Sequence, residues 1–424
     1  MNRRHLLMGC CAALGAGLFT GLVPAATGRV LTAYRNPCRG KLPADLAQHD
    51  VVLSALQGLD TRRLLDTHAH LLGTGDAGSG CSVHPAMQQW WHPTEVLRRK
   101  VILNAACVAA DVPSVDRAYV QRLLILADDL PEGARWWLFA FEQAHDDAGR
   151  PQPDQSSFHV PDAYAAHIAR QHPGRFDWVA SIHPYRSDAL MRLDAALAAG
   201  AVAVKWLPSA MNIDLRDPRS RAFCERLARA GKPLVVHCGE EKAAPGAGRD
   251  ELGNPLLVRH ALACGTRVIV AHAASLGHAA DIDKRSAPQR LAFDLFARLM
   301  DEQVREQTHE QTHGNRLLAD ISGVFQVNRT PQVWRSVLQR EDWHPRLLHG
   351  SDHPLPGVIP LFSPSRLQRA GLLDEADVAP LLRIREHNPL LFDLVLKRRL
   401  RAGTSRLPAS VFEAAALWPA ADAV

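Results

Sequence analysis

Short apolar runs alternate with polar turns and helical stretches along most of the chain. The runs occupy residues 63–66, 136–141, 176–182, 201–206, 233–236, 267–271, 316–321 and 346–350. Each is short and nearly continuous in apolar residues, as suits a strand buried on both faces of a parallel sheet. Helix signals stand between them. Asp217-Pro218, Asn254-Pro255 and Thr330-Pro331 each place a capping side chain before a proline at the first helical position. Gly200, Gly231 and Gly265 lie just before the fourth, fifth and sixth runs, where a left-handed residue ends a helix. Strand, helix, strand at this regularity implies right-handed crossovers and a parallel sheet. Eight such units predict an α/β protein, a (β/α)8 TIM barrel. Two longer stretches, 71–135 after strand one and 278–315 after strand six, read as insertions on that single barrel.

The ends of the chain depart from the pattern. Arg3 and Arg4 precede an uncharged, Gly- and Ala-rich stretch, 6–28, with small residues for cleavage at Val23-Pro24-Ala25. The paired arginines resemble the twin-arginine export signal of bacteria. The expectation is a periplasmic protein; the alternative is an uncleaved N-terminal membrane anchor, because the stretch is long enough to span a bilayer. The expected organisation is an export signal over 1–28, an extension over 29–60, the barrel over 61–403 and a tail over 404–424.

Composition narrows the partners. Of 424 residues, 49 are Lys or Arg and 44 Asp or Glu, a formal charge of +5 with no dense basic block, so nucleic acid is not an expected partner. Nor is a membrane, once the leader is removed. Hydrophobic residues make up 47%, which supplies a large core and excludes wholesale disorder. Export permits disulfides, yet Cys38, Cys81, Cys107, Cys224, Cys238 and Cys264 show no framework spacing and no CxxC pair. Small buried apolar groups are the expectation for most of them.

The 21 histidines change the picture, because of where they sit. The first run continues Asp66-Thr67-His68-Ala69-His70. Residues two apart on a strand share a side, so His68 and His70 both face the barrel interior, where neutral imidazoles suit one cation. An isolated HxH is equally a pair of satisfied core residues. Three other strand ends point the same way: His237 after run five, His272 after run six and Asp352 after run eight. In such barrels the catalytic groups gather at the C-terminal strand ends.

These residues, with Val204-Lys205, His237-Cys238-Gly239-Glu240, Gly350-Ser351-Asp352-His353-Pro354 and Glu386-His387-Asn388-Pro389, resemble the amidohydrolase superfamily. Within it they resemble the amidohydrolase-related branch of metal-dependent hydrolases and aminocarboxymuconate-semialdehyde-type decarboxylases. The likeness covers about residues 64–394.

The resemblance implies a divalent metal, by default one zinc per chain, held by His68, His70, His237 and Asp352 with a position open for water. Asp352 is then the general base, and His272 polarises a substrate carbonyl or shuttles a proton. Lys205 contacts substrate or, in a binuclear site, is the carbamylated bridge. The implied reaction is attack of metal-activated water on an amide, lactone, ester or cyclic imide carbonyl of a small molecule. The alternative on the same ligands is decarboxylation of a small unsaturated acid, which an arginine placed for the carboxylate would favour. A metal-binding scaffold on a retired barrel would lack a ligand, and none is missing. Weaker candidates are Glu142 and His183 at strand ends two and three, Glu240 and Glu241 after strand five, and Trp90, Trp91 and His92 as part of a lid. The His309 and His313 pair reads as a solvated helix face, and His353 is expected to point away from the metal.

Overall fold

The computed structural model describes residues 35–109, 111–284, 288–309 and 316–418. The leader expected over 1–28 lies outside these residues, as does His313. No helix among the described residues is long and apolar enough to cross a membrane.

Eight strands follow one another around a single sheet in chain order. They are β1 (Leu65–His70), β2 (Arg135–Phe139), β3 (Phe176–Ala180), β4 (Ala203–Trp206), β5 (Leu234–His237), β6 (Val268–Ala271), β7 (Leu317–Asp320) and β8 (Leu347–Leu348). Every pairing between neighbours is parallel. The segment after β8 returns to β1. Thr67 N donates to His349 O at 2.9 Å, Asp352 N to His68 O at 2.7 Å and His70 N to His353 O at 2.9 Å. These bonds close the sheet into the (β/α)8 barrel that the apolar runs predict.

Two layers of core follow from strands buried on both faces. Inward side chains of Leu65, Trp137, Phe139, Val179, Val235, Ile269 and Leu318 fill the barrel. A larger outer cluster packs the other strand face against the helices. The C-terminal segment stoppers one end: Ala414 joins the inner cluster, and the Trp418 ring lies 5.0 Å from that of Trp137. The predicted site residues His68, His70 and His237 lie at the C-terminal ends of their strands.

Local signals act as expected. Asp217 caps the helix Pro218–Arg229 through Arg219 N at 2.8 Å, and Thr330 caps Pro331–Gln339 through Val333 N at 3.4 Å. Asn254 caps a shorter turn, Pro255–Leu257, which runs on into Val258–Ala263. Gly200, Gly231 and Gly265 take φ of 90°, 65° and 82°. The stretches 71–135 and 278–315 are not all loop: the first holds the helices Pro93–Ala105 and Val115–Asp128, the second the helix Ala292–His309.

Two cysteines depart from the expectation held for most of them. Cys38 and Cys107, 69 residues apart, form a disulfide with a Cα–Cα distance of 5.4 Å. The pairing is between the N-terminal extension and the first insertion, so no short spacing announces it. Cys81, Cys224 and Cys238 are buried thiols, as expected, and Cys264 is half-buried.

Candidate metal centre

Strand β1 delivers the first two histidines across a bulge between Asp66 and Ala69. Asp66 stabilises that irregularity by accepting from His68 N at 3.0 Å and from Ser351 N at 2.8 Å. His68 and His70 remain on one side. Their Nε2 atoms lie 3.6 and 3.2 Å from Asp352 Oδ1. Asp352 itself adopts φ of 60°, a left-handed backbone that a non-glycine residue holds only at a cost of about 1–3 kcal/mol. The same conformation runs through His272, Ala273 and Ala274, with φ of 57°, 49° and 48°. Backbone strain thus concentrates at two of the predicted site residues.

The next shell fixes the ring orientations. Asp320, at the end of β7, is fully buried, and its Oδ2 accepts from His68 Nδ1 at 2.9 Å. Its Oδ1 accepts from His272 N at 3.1 Å, Ser322 N at 3.0 Å and the Ser322 hydroxyl. His272 Nδ1 donates to Ser322 O at 3.0 Å. A carboxylate and a carbonyl only accept, so both rings carry their proton on Nδ1 and keep the Nε2 lone pair. His68 Nε2 is buried with no hydrogen-bond partner among the described residues.

His237 ends β5 and stands slightly apart. Its ring centroid is 5.2 Å from that of His272, and its Nδ1 is 3.4 Å from Glu241 Oε2. Its Nε2 is likewise buried and unpartnered. Glu241 is held in turn by Ala243 N at 2.6 Å and Ala244 N at 2.8 Å. Burial pushes the pKa values of His68, His237 and His272 down, which keeps these imidazoles neutral, the form that binds a cation. Burial raises that of Asp352, against the opposing pull of His70.

Two tight donor groups result, each with ligand atoms within 4.8 Å: His68, His70 and Asp352; and His68, His272 and Asp320. The second shares a His68 nitrogen already bound to Asp320 and is a hydrogen-bond network. The first brings His68 Nε2 and His70 Nε2 to 3.6 and 3.2 Å from the Asp352 carboxylate. An orphaned buried imidazole nitrogen, His68 Nε2, beside the Asp352 carboxylate and His70 suits a divalent cation, so these residues fit the expected metal; the predicted fourth ligand, His237, belongs to neither group.

Lys205, on β4, is buried, with Nζ unpartnered among the described residues and 5.1 Å from the Phe139 ring centroid. Burial brings its pKa down to about 8. Other candidates are engaged elsewhere. His183 uses both nitrogens, on Met211 O at 2.8 Å and Tyr185 N at 3.1 Å. Glu142 faces Arg186 at 3.7 Å, and Glu240 pairs with Lys242 at 3.2 Å. His353 packs 5.8 Å from the Tyr119 ring. Trp90 and Trp91 stack edge to face in the open, 82% and 59% exposed. Sequence reasoning missed Asp320, Ser322 and Arg329. The rule that singled out polar residues at strand ends would have found Asp320 had it been applied to run seven.

Residues 65–383 match the Amidohydrolase family. The chain belongs to that family. This amidohydrolase-family barrel is similar to a structure described as a probable 2-pyrone-4,6-dicarboxylic acid hydrolase from Acinetobacter baumannii, with 14% identity, a TM-score of 0.41, and 78% of this chain and 95% of that one covered. It is similar also to 5-carboxyvanillate decarboxylase from Sphingomonas paucimobilis, with 10% identity, a TM-score of 0.46, and coverage of 85% and 100%. A third is the Novosphingobium aromaticivorans 5-carboxyvanillate decarboxylase complexed with manganese and 4-hydroxy-3-methoxy-5-nitrobenzoic acid, with 12% identity, a TM-score of 0.42, and coverage of 78% and 92%. No curated protein matches the family member described here.

Proposed function

We propose that the chain is a metal-dependent hydrolase that opens an amide, lactone, ester or cyclic imide carbonyl of a small molecule. The observation that carries this reading is the buried, unpartnered His68 Nε2 grouped with His70 and Asp352, with a second buried and unpartnered nitrogen, His237 Nε2, on the neighbouring strand end beside His272. His68, His70, His237 and Asp352 would hold one divalent cation, zinc by default, since the donor set is rich in nitrogen. When bound, the cation lowers the pKa of water toward about 7 and polarises a carbonyl.

The protein's own groups do the rest. Asp352 takes a proton from water, its basicity enhanced by burial. His272, its Nδ1 proton committed to Ser322 O, presents a lone pair at Nε2 that receives a proton and returns it to the leaving group. Lys205 would contact the substrate or, if carbamylated, help to hold a second metal. Burial of His68, His237, His272 and Asp352, with His70 partly exposed, strengthens each electrostatic contact.

A second reading, decarboxylation of a small unsaturated acid on the same residues, gains support from Arg329. This buried guanidinium follows β7 and is paired only with neutral groups, which supplies a cation for a carboxylate. The leader and the Cys38–Cys107 disulfide together favour export to an oxidising compartment, the periplasm, by the twin-arginine route. The reaction class is tested by incubating the purified mature chain with lactones, amides and unsaturated carboxylic acids. Ring opening or amide cleavage without release of carbon dioxide supports the hydrolase; release of carbon dioxide in proportion to substrate loss supports the lyase and overturns the first reading.

A further inference from the structure

The helix Pro389–Arg399 is buried from Pro389 to Lys397. Asn388 anchors its start, with Oδ1 accepting from Leu391 N at 2.9 Å and Nδ2 donating to Leu126 O at 2.8 Å. Near its far end stands a charge that the proposed chemistry leaves unused. The fully buried Lys397 ammonium donates to Asp393 Oδ2 at 2.5 Å, one turn back on the same helix, and to Gly350 O at 2.6 Å. An acid and a base four residues apart can pair on an exposed helix face, and burying both is costly. Apolar residues of the same size would give a fold as stable or more so. Stability therefore does not account for the pair, and its third partner, the Gly350 carbonyl, points to another use.

Gly350 opens the segment that carries Asp352. Leu348 O accepts from Ile321 N at 2.9 Å and His349 O from Thr67 N at 2.9 Å, so the chain up to there is still laddered to the segment after β7 and to β1. Gly350 O, the next carbonyl, takes the Lys397 ammonium. Ser351 N donates to Asp66 Oδ1 at 2.8 Å, and Asp352 N to His68 O at 2.7 Å. Three successive residues are thus each held by a different partner, and the third has φ of 60°. A left-handed backbone at a non-glycine residue persists only where its surroundings over-determine it. Two of the three holds come from β1, the strand that Asp352 must meet; the third comes from an anchored helix.

We infer that Lys397, neutralised by Asp393, is a positioning residue that locks the Gly350 carbonyl and thereby directs the Asp352 carboxylate at His68 and His70. That Asp352 then serves a metal and a reaction rests on the reading in the preceding subsection; the locked strand end does not. An ammonium supplies a stronger hydrogen bond to the carbonyl than a neutral donor would. Its charge also reaches His68. Asp393 offsets that charge, which would otherwise oppose a divalent cation beside His68.

The test is the double variant Lys397→Met with Asp393→Leu in the full mature chain, which replaces both charges by apolar groups of similar size. Its thermal transition should stay close to the native one. Amide hydrogen exchange over residues 349–353, followed by mass spectrometry, should accelerate roughly 10- to 100-fold, the scale of a lost hydrogen bond to a charged group, while β5 and β6 keep their native rates. Zinc affinity, read by chelator competition, should fall about 10-fold or more, a loss that mere helix packing would not produce. Lys397→Arg, which keeps a charged donor, should recover part of both effects. Native exchange over 349–353 in the double variant overturns the inference, and so does faster exchange with unchanged zinc affinity. In the native chain the amides of Ser351 and Asp352 should exchange as slowly as those of β6; exchange far faster than that overturns the inference even where the double variant does not fold. A native chain that binds no zinc overturns the reading of the preceding subsection instead, and the exchange rates then decide this one.

Discussion

Asp320 Oδ2 accepts from His68 Nδ1 at 2.9 Å, a bond between β7 and β1 that decides which His68 nitrogen is free. Asp320→Asn tests its importance. The Oδ1 position already receives two backbone N–H groups and a hydroxyl, so the amide nitrogen must take the place of Oδ2. It would then donate to His68 Nδ1 and force the ring proton onto Nε2, removing the lone pair a metal needs. Metal affinity, measured by chelator competition, is expected to fall about 10- to 100-fold while the thermal transition moves little. Unchanged affinity would mean that His68 is not a ligand.

Gly350 illustrates how closely the β8 end is packed on β1. A Cβ there would lie 2.7 Å from His68 Cβ and 3.3 Å from Ser322 Cβ, neither of which is the end of a flexible chain. Gly350→Ala should therefore displace His68, cost about 1–3 kcal/mol in a denaturant titration, and reduce metal content. Wild-type stability with full metal content would show that the strand end relaxes freely.

His183 predicts a pH dependence unrelated to catalysis. Burial holds its pKa down to about 3, whereas an unfolded histidine titrates near 6.5. Below 6.5 the unfolded chain takes up a proton that the native state refuses. The stabilising contribution is therefore complete above pH 6.5 and is lost as pH falls toward about 3, at up to roughly 1.4 kcal/mol per pH unit. Urea midpoints at pH 7.5, 6 and 5 should decline, and His183→Gln should flatten the decline. A slope that is unchanged in the variant assigns the effect to other groups.

The Cys38–Cys107 bond closes a long loop, with a sequence separation of 69. Cys38→Ser with Cys107→Ser should lower stability by about 2–4 kcal/mol, read from the guanidinium midpoint. Equal midpoints would indicate that the surrounding contacts, such as Asn36 N to Asn104 Oδ1 at 2.9 Å, suffice alone.

What the sequence made legible has a physical pattern. The eight apolar runs give the eight strands because burial on both faces leaves a continuous apolar signature. The helix caps at Asp217 and Thr330 are equally local. His68, His70, His237, His272 and Asp352 stood out because strand ends are readable and polar residues there are few. Asp320 acts through a bond to a residue 252 positions away, and nothing in Ala319-Asp320-Ile321 encodes that partner. Arg329 lies past a strand end, on a loop whose conformation sets its direction. The Cys38–Cys107 pairing depends on how the extension drapes over the barrel. In each case the missing information is a long-range contact or a loop geometry.

The central claim is that His68, His70, His237 and Asp352 hold one catalytic divalent metal. Its most direct test is the metal content of the purified mature chain by mass spectrometry, set beside that of His237→Ala. The account predicts about one tightly bound divalent ion per native chain, and loss of both the ion and turnover in the variant. Substantially less than one ion in the native chain, or a variant with unchanged metal content and turnover, would contradict it.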